Sequence, residues 1–190
     1  MFNYCPSCGS KKIAFDKSHK WSCPDCGFVY YHNTAAATGC IISTRRGIML
    51  LVRGKDPARG KLDLPGGFVD PGEGAFDGLR RELREEIGWE PNPGGGPAGD
   101  SLSAAGGGPG AAFKLFASFP NIYPYKNIVY NTCDLFFTIE APDLTEADLS
   151  LEAAEIAGVT FIKPADINLD DMAFESTRRA IKAFLQTANP

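Results

Sequence analysis

The stretch from residue 66 to residue 89 restricts the possible folds of this chain more than any other segment. It reads GGFVDPGEGAFDGLRRELREEIGW. Two glycines and a Pro-Gly turn precede apolar residues at helical spacing, and this order predicts a helix from Ala75 to Ile87. Gly88 follows at the position where a left-handed residue commonly ends a helix. We therefore expect a glycine-rich loop that leads directly into a capped helix.

Three glutamates crowd the last two turns of this predicted helix, at Glu82, Glu85 and Glu86. Their i, i+3 and i+4 spacing puts them on one helical face, where like charges destabilise a bare helix. From the residues alone two interpretations stay open. The face is solvated and paired with neighbouring arginines, or the carboxylates bind a hard divalent cation such as Mg²⁺ or Mn²⁺ that also meets substrate phosphates.

The residues around the glutamates favour the cation. From the loop to the helix end, the specified positions are Gly67, Glu73, Arg81, Glu82, Leu83, Glu85, Glu86 and Gly88. This pattern resembles the Nudix box, and the order of strand-like segments extends the resemblance to Nudix hydrolases over most of residues 33–190. Two departures are Trp89, where the family prefers an aliphatic residue, and the Gly/Pro-rich stretch 91–112.

The resemblance implies an α+β Nudix fold, with mixed β-sheets between helices in an α/β/α sandwich. It also implies a catalytic divalent cation, Mg²⁺ or Mn²⁺. The implied metal ligands are Glu82, Glu85, Glu86 and the carbonyl oxygen of Gly67. Arg81 is similar to the family's orienting arginine, placed to pair with Glu73 and hold the loop against the helix.

The reaction implied by the resemblance is hydrolysis of a nucleoside diphosphate linked to another group. Water attacks a phosphorus atom while the metal neutralises the diphosphate and helps to form the nucleophile. The general base stays open, because the family draws it from the box helix or from a later loop. The candidates are Glu85 or Glu86 in the helix and Glu152 or Glu155 in the later segment SLEAAEIAG.

Two Cys-x-x-Cys-Gly pairs near the start have the spacing of a zinc ribbon. The cysteines are Cys5, Cys8, Cys23 and Cys26, with 14 residues between the pairs. Four thiolates complete a closed tetrahedral shell, so we predict structural Zn²⁺ in a small β-hairpin over residues 1–32. A redox-active pair is the alternative, which two pairs around one short hairpin disfavour.

The ribbon and the remaining cysteines have competing interpretations. The lysines and Trp21 of the ribbon suit contact with a nucleic acid or a protein partner, whereas so short a segment also needs a metal simply to fold. The structural role is the favoured one. Cys40 and Cys133 lie in predicted strands and are expected to be buried apolar residues.

After the ribbon, the sequence predicts one mixed domain over residues 33–190. The predicted strands cover residues 35–44, 47–54, 61–70, 113–119, 127–140 and 156–164. Asp170 or Asp171 is expected to cap a final helix. The low-complexity stretch 91–112 is expected to be a flexible insert, because it offers little apolar surface to bury.

Two groups of residues are candidates for substrate binding. Arg53 follows a predicted strand and resembles the phosphate-contacting arginine of many Nudix proteins, or it forms a surface ion pair. The second group is Tyr123, Tyr125, Lys126 and Asn127. The two tyrosines flank Pro124 in a predicted loop, where their rings would stack a base while the lysine and asparagine meet phosphate or ribose. Core packing is the alternative for the aromatic residues.

The order of a zinc ribbon before a Nudix domain is also that of NADH pyrophosphatases. Their segment after the box reads Ser-Gln-Pro-Trp-Pro-Phe-Pro-x-Ser, whereas this chain has ASFPNIYPYKN and keeps only Ser118 and Pro120. ADP-ribose or another nucleoside diphosphate derivative is therefore at least as well supported a substrate as NADH. Removal of a nucleotide cap from RNA, and nucleotide binding in regulation, are the alternative functions.

Charge and hydropathy limit the partners. With 19 basic against 23 acidic side chains the net charge is −4, which disfavours a nucleic acid or an anionic membrane as the main partner. No apolar run has the length to span a bilayer, and the start lacks the pattern of a secretory leader. We expect a small nucleotide substrate and a cytoplasmic location. A homodimer is compatible with the sequence.

Overall fold

The computed structural model describes residues 2–91 and 113–187, so the predicted insert 91–112 lies, except for Pro91, outside the described residues. Within them the strands are β1 (Ala14–Phe15), β2 (Lys20–Ser22), β3 (Val29–Tyr31), β4 (Ala35–Thr44), β5 (Gly47–Arg53), β6 (Leu62–Asp63), β7 (Lys114–Tyr125), β8 (Ile128–Glu140) and β9 (Ile156–Ile162). The helices are α1 (Ala75–Ile87) and α2 (Glu175–Thr187).

The strands from β4 onward form one mixed sheet, in the order β6-β5-β4-β8-β7. β4 runs parallel to β8, from Ala35 opposite Thr132 to Ser43 opposite Glu140. β5 pairs antiparallel with β4 at its start and with β6 at its end. β9 lies on the other edge of β5, because it pairs antiparallel with the same stretch of that strand.

A helix covers each face of this sheet, and an apolar cluster fills each layer. Leu83 of α1 belongs to one cluster, and Ile181 of α2 belongs to the other. Neighbouring residues of β4 divide between the clusters, since Ile42 packs with α1 and Ile41 with α2, as the two-residue period of a strand requires. The predicted α+β fold with a mixed sheet between helices is confirmed.

Helix α1 has the predicted bounds. Its apolar stripe of Leu79, Leu83 and Ile87 is fully buried against the sheet. Gly88 ends the helix with φ of 61°, and its N–H donates to the carbonyl of Arg84 at 3.1 Å. Burial of this stripe fixes the rotation of the helix and turns its glutamates toward the preceding loop.

That loop, between β6 and α1, is held along the first half of β4. The N–H of Thr38 donates to the carbonyl of Gly67 at 2.8 Å, and the N–H of Cys40 donates to the carbonyl of Pro65 at 2.9 Å. These backbone bonds place the loop between the sheet and the polar side of α1.

The N-terminal residues form a separate antiparallel sheet in the order β1-β2-β3. Trp21 packs within it, with ring centroids 5.4 Å from Phe2 and 5.0 Å from Phe15. This packing supports the structural role of the ribbon over nucleic-acid contact through the tryptophan. The predicted boundary between residues 32 and 33 falls between β3 and β4 and stays a prediction.

The predicted loop around Pro124 is wrong. Tyr123 and Tyr125 lie in β7, opposite Tyr130 and Ile128 of β8. Proline tolerates this position because β7 is an edge strand, in which an N–H on the outer side has no ladder partner to lose.

The start of the last helix also differs from the prediction. Asp170 and Asp171 belong to a short 3₁₀ turn, and α2 begins only at Glu175. The cause is pairing with β6: Met172 is buried and forms a parallel bridge with Leu62, so this segment joins the sheet before the helix begins.

The two cysteines outside the ribbon have different environments. Cys40 is fully buried in β4, as predicted. Cys133 lies in β8 but is exposed, so its predicted burial is wrong. The alternation of β8 turns Thr132 and Asp134 inward and leaves the cysteine on the outer face.

Candidate active site and metal centre

A cavity of about 230 Å³ opens beside the loop, the polar side of α1 and the central strands. Its charged lining residues are Arg53, Lys55, Asp63, Asp70, Glu82, Glu86, Asp134 and Glu155. Carboxylates outnumber the basic groups, which makes the cavity suited to a hard cation with oxygen ligands.

The three glutamates predicted as metal ligands divide between two environments. Glu82 and Glu86 line the cavity, whereas the side chain of Glu85 is 59% exposed and contacts Arg81 at 3.2 Å. Among residues 2–91 and 113–187, only the four ribbon cysteines bring three or more His, Cys, Asp or Glu ligand atoms within 4.8 Å of one another. Mg²⁺ commonly uses one or two carboxylates together with waters and substrate phosphate, so Glu82 and Glu86 fit such an ion.

Arg81 ties the loop to the helix. Its Nε and Nη2 donate to the two carboxylate oxygens of Glu73 at 2.9 and 3.0 Å, and Nη2 also donates to the carbonyl of Phe68 at 2.9 Å. Nη1 donates to Glu82 at 2.7 Å. The guanidinium lowers the pKa of Glu73 through these hydrogen bonds. The predicted pair is present, and its orienting role in the reaction stays a prediction.

Two glycines allow the loop to approach the carboxylates closely. The N–H of Gly66 donates to Glu86 Oε2 at 2.8 Å. A Cβ atom at Gly67 would lie 2.6 Å from Glu82 Oε1, so a larger residue would displace that side chain. The carbonyl of Gly67, the predicted fourth ligand, accepts a hydrogen bond from Thr38 at 2.8 Å, and its role at a metal stays a prediction.

Burial shifts the pKa of both cavity glutamates in the same direction, upward. Burial raises the pKa of Glu82, and Arg81 opposes the shift. Burial raises the pKa of Glu86 to about 8, with the charges of Glu82, Asp63 and Glu155 adding to the effect against the hydrogen bond from Gly66. A cation between these carboxylates would relieve this cost.

We expect Glu86→Gln to stabilise the protein in magnesium-free buffer at alkaline pH. The folded pKa of about 8 lies above the ordinary value of 4.5, so ionisation of Glu86 destabilises the fold as pH rises between these values. Glutamine resembles the protonated acid, so the melting temperature should rise by about 5 °C at pH 9 and change little at pH 5. Thermal melts at the two pH values test this, and an equal shift at both would contradict it.

Of the candidate bases in the later segment, Glu155 lines the cavity and Glu152 does not. The carboxylate of Glu155 forms an ion pair with Lys55, which lines the cavity too. Its backbone carbonyl accepts a hydrogen bond from Gly54 at 2.6 Å, which fixes the segment beside the end of β5. The structure therefore brings Glu155 to the same cavity as Glu82 and Glu86.

Arg53 also lines the cavity, in an ion pair that is buried and not on the surface. Its Nη1 donates to Asp63 at 3.0 Å, and each side chain is 14% exposed. Its guanidinium lies over the ring of Phe174 at 4.8 Å, and Thr177 donates to Asp63 at 2.8 Å. This network holds the arginine at the cavity wall, and phosphate contact stays a prediction.

Of the four predicted substrate-binding residues around Pro124, the structure places one at the cavity and three at the end of the hairpin. Tyr123 lines the cavity, with its ring 5.5 Å from Phe68 and 5.3 Å from Phe174. The end of the hairpin does not line the cavity, and there Lys126 lies 5.1 Å over the ring of Tyr125. Asn127, in the turn of the hairpin, does not line the cavity either.

Sequence reasoning missed several lining residues, namely Asp63, Asn121, Thr132, Asp134, Phe174 and Thr177. A signal existed for two of them. Thr132 and Asp134 are polar residues two apart in a predicted strand, so one face of that strand had to carry both. Phe174 carried no such signal, because only the packing of the segment just before α2 brings it to the site.

The four ribbon cysteines form a site that could hold a metal ion. Cys5 Sγ lies 3.6 Å from Cys26 Sγ, and Cys8 Sγ lies 3.8 Å from Cys23 Sγ. Four sulfurs about 2.3 Å from a central zinc would be about 3.8 Å apart in a tetrahedron, so these distances fit.

Cys8→Ser is expected to abolish zinc binding by the purified protein. Loss of one thiolate opens the tetrahedral shell, and a small metal-supported sheet unfolds without its ion. Zinc measured by mass spectrometry should fall from about one per chain to below 0.2. Cys133→Ser, which changes a cysteine outside the cluster, should retain the zinc, and equal retention by both variants would contradict the site.

Comparison with known proteins places the fold. The family model described as NUDIX domain matches residues 33–184. The NUDIX hydrolase structure from Nitrosomonas europaea superposes with a TM-score of 0.63 at 22% identity, over 97% of this chain and 91% of that chain. The NUDIX domain of Shewanella oneidensis NrtR, complexed with ADP ribose, superposes with a TM-score of 0.58 at 16% identity, over 87% of this chain and 93% of that one.

Curated relatives match over shorter stretches. The NAD-capped RNA hydrolase NudC of Stutzerimonas stutzeri is 33% identical over 90 residues, which are 47% of this chain and 32% of that protein. The ADP-ribose pyrophosphatase of Methanocaldococcus jannaschii is 40% identical over 63 residues, 33% of this chain and 37% of that protein. The matches span about a third of the length of each relative.

Proposed function

Because the chain belongs to the NUDIX domain family, we propose that it is a divalent-metal-dependent hydrolase of nucleoside diphosphates linked to a second group. One observation carries the proposal: two partly buried glutamates, Glu82 and Glu86, line a cavity that is also lined by Arg53, Tyr123 and Glu155. The combination offers a cation site, an anion-binding group and an aromatic surface at the place where such a substrate would bind.

Glu82 and Glu86 would hold Mg²⁺ or Mn²⁺, with Glu85 turning in from Arg81 to complete the set. The bound cation would neutralise the diphosphate and lower the pKa of the attacking water. Arg81 keeps Glu82 in place through its hydrogen bond and ties the loop to the helix through Glu73. The loop glycines let the backbone approach these carboxylates closely.

We assign the general base to Glu155, across the cavity from α1. Its carboxylate is 41% exposed, so water reaches it, and its ion pair with Lys55 holds it at the cavity wall. Lys55 is also suited to meet a phosphate oxygen at the same wall. Glu85 and Glu86 are the alternative bases. If either one is the base, Glu155 takes no part in the proton transfer.

The candidate substrates are ADP-ribose, NADH and similar derivatives. The names of the relatives support this class, since one is an ADP-ribose pyrophosphatase and another structure was solved with ADP ribose. Tyr123, on the cavity wall between Phe68 and Phe174, is the aromatic residue placed to stack a base.

Removal of a nucleotide cap from RNA is a second candidate, favoured by the relatives named NAD-capped RNA hydrolase. The net charge of −4 weighs against strong RNA binding. We expect free nucleotides to be cleaved with a higher kcat/KM than a capped RNA carrying the same bond, and the reverse order would favour the cap.

The ribbon supports the catalytic domain as a zinc-bound structural unit in this proposal. Free cysteines at metal-ligand spacing suit a reducing compartment such as the cytoplasm. None of the helices in the described ranges has the length and apolar content to cross a bilayer.

A substrate panel tests the proposed function. Purified protein is incubated with Mg²⁺ or Mn²⁺ and with NADH, ADP-ribose, FAD, diadenosine polyphosphates or dNTPs, and nucleoside monophosphate release is measured. We expect release from at least one dinucleotide or nucleotide-sugar compound, dependent on the cation. No release from any member of the panel would overturn the proposal.

A further inference from the structure

Two buried polar groups of β8 form one wall of the cavity. Thr132 is 2% exposed and Asp134 is 8% exposed, and both line the cavity. Ser176 of α2 donates to Asp134 Oδ2 at 2.5 Å. Within the described ranges of the chain, Asp134 Oδ1 and Thr132 Oγ1 have no hydrogen-bond partner.

The surroundings of this pair make the unpaired oxygens unfavourable. Asp134 lies opposite Phe119 of β7, and Phe136 follows two residues along the same strand. A buried carboxylate beside aromatic rings is destabilised unless donors surround it, and most buried polar atoms in folded proteins are paired. Since both residues line the cavity, a ligand that reaches this wall can supply the missing partner.

The charges of the cavity restrict which group can bind at this wall. Asp134 accepts hydrogen bonds but offers no donor when ionised, and Asp63, Glu82 and Glu86 line the same cavity. A phosphate at this wall would be repelled by the carboxylates and would satisfy none of them. ADP-ribose carries no cationic group, so the donor that it can offer at this wall is a neutral O–H or N–H, and the hydroxyl of Thr132 can pair with either.

The same wall also indicates what kind of molecule carries the donor. Asn121 lies opposite Thr132, and Tyr123 follows two residues along β7 on the same face. Thr132 and Asp134 are likewise two apart, which puts their Cα atoms roughly 7 Å from each other on one face. Polar groups at this spacing next to an aromatic ring suit a nucleoside, which has a flat base and a hydroxylated sugar.

We propose that Asp134 and Thr132 form a nucleoside subsite that takes a neutral hydrogen-bond donor, either a ribose hydroxyl or the amino group of the base. The subsite rests on the proposed function, because it assigns the nucleoside end of that same substrate to β8. It makes these two residues determinants of specificity and gives them no part in bond cleavage.

Calorimetric titration of ADP-ribose in magnesium-free buffer tests the subsite without turnover. Asp134→Asn and Thr132→Val should each weaken binding about tenfold, the expected effect of losing one ligand hydrogen bond. Thr138→Val, which changes a threonine of the same strand outside the cavity, is the matched control and should bind as the unaltered protein does.

Analogues of ADP-ribose distinguish the two sources of the donor. One set lacks a single ribose hydroxyl, and the other carries hypoxanthine in place of adenine and so lacks the base amino group. The analogue without the contacted donor should bind the unaltered protein about tenfold more weakly than ADP-ribose does. Its affinity for the Asp134→Asn variant should be little lower than its affinity for the unaltered protein. If Asp134→Asn fails to fold, the near-isosteric Thr132→Val carries the same comparison.

Two results would overturn the subsite. One is no measurable binding of ADP-ribose to the unaltered protein. The other is variants that melt at lower temperature but keep the full preference for each donor group, which would mean that internal water satisfies the pair. Binding with the expected coupling but no hydrolysis of any compound in the panel would overturn the proposed hydrolysis and leave the subsite standing.

Discussion

Replacing Glu85 with glutamine is expected to lower kcat about 10³-fold while the melting temperature stays within about 1 °C. Glu85 shares the helical face of Glu82 and Glu86, so the proposed cation loses one of its charged ligands. The side chain is 59% exposed, and within residues 2–91 and 113–187 its one ion pair is with Arg81 at 3.2 Å, so little of the fold depends on it. Turnover of a cleaved nucleotide at saturating Mg²⁺ and a thermal melt measure the two effects.

Glu90→Gln is the matched control for Glu85. Glu90 lies just after the same helix, is 41% exposed and pairs with Arg80, but it does not line the cavity. Its replacement should leave kcat within about twofold, as expected for a surface change. A large fall in melting temperature for Glu85→Gln with unchanged kcat would show that the glutamate cluster is only a set of helix ion pairs.

Glu155→Gln is expected to lower kcat about 100-fold or more with little change in KM. The amide cannot take a proton from the attacking water, and loss of a positioned base costs about 10²–10⁴ in rate. The carboxylate lies beside Lys55 at the cavity wall, where a base for the attacking water is needed. Initial rates from pH 5 to pH 9 measure kcat and KM.

Glu152→Gln provides the comparison within the same segment. Its side chain accepts a hydrogen bond from the N–H of Ala154 at 3.1 Å and does not line the cavity. We expect near-normal kcat for this variant. Equal and small effects of the two replacements would remove Glu155 from the proton transfer and favour a base on α1.

The sequence predicted α1 well because independent signals agreed. The apolar stripe that includes Leu79 and Leu83 set the buried face, and Gly88 marked the end. It predicted β7 poorly because Pro124 marks a loop in most contexts. Only the sheet order, which leaves β7 at an edge, makes that proline compatible with a strand.

For the candidate site, the sequence identified the groups that a local motif specifies. Glu82, Glu86 and Arg81 were found because they lie within one loop and helix. Asp134 and Phe174 come from segments more than 40 residues further along the chain, and only the packing of β8 and α2 brings them to the cavity. A local motif therefore predicts its own residues at the cavity better than it predicts the walls that distant segments supply.

The prolines of β7 also limit association between the sheet edges of two copies of the chain. A twelve-residue edge strand with exposed apolar side chains such as Ile122 would normally invite a second chain to extend the sheet. The backbone nitrogens of residues 120, 122 and 124 share one side of the strand, and those of Pro120 and Pro124 carry no hydrogen to donate. Two missing donors in one row leave that edge a poor template for amyloid-like growth.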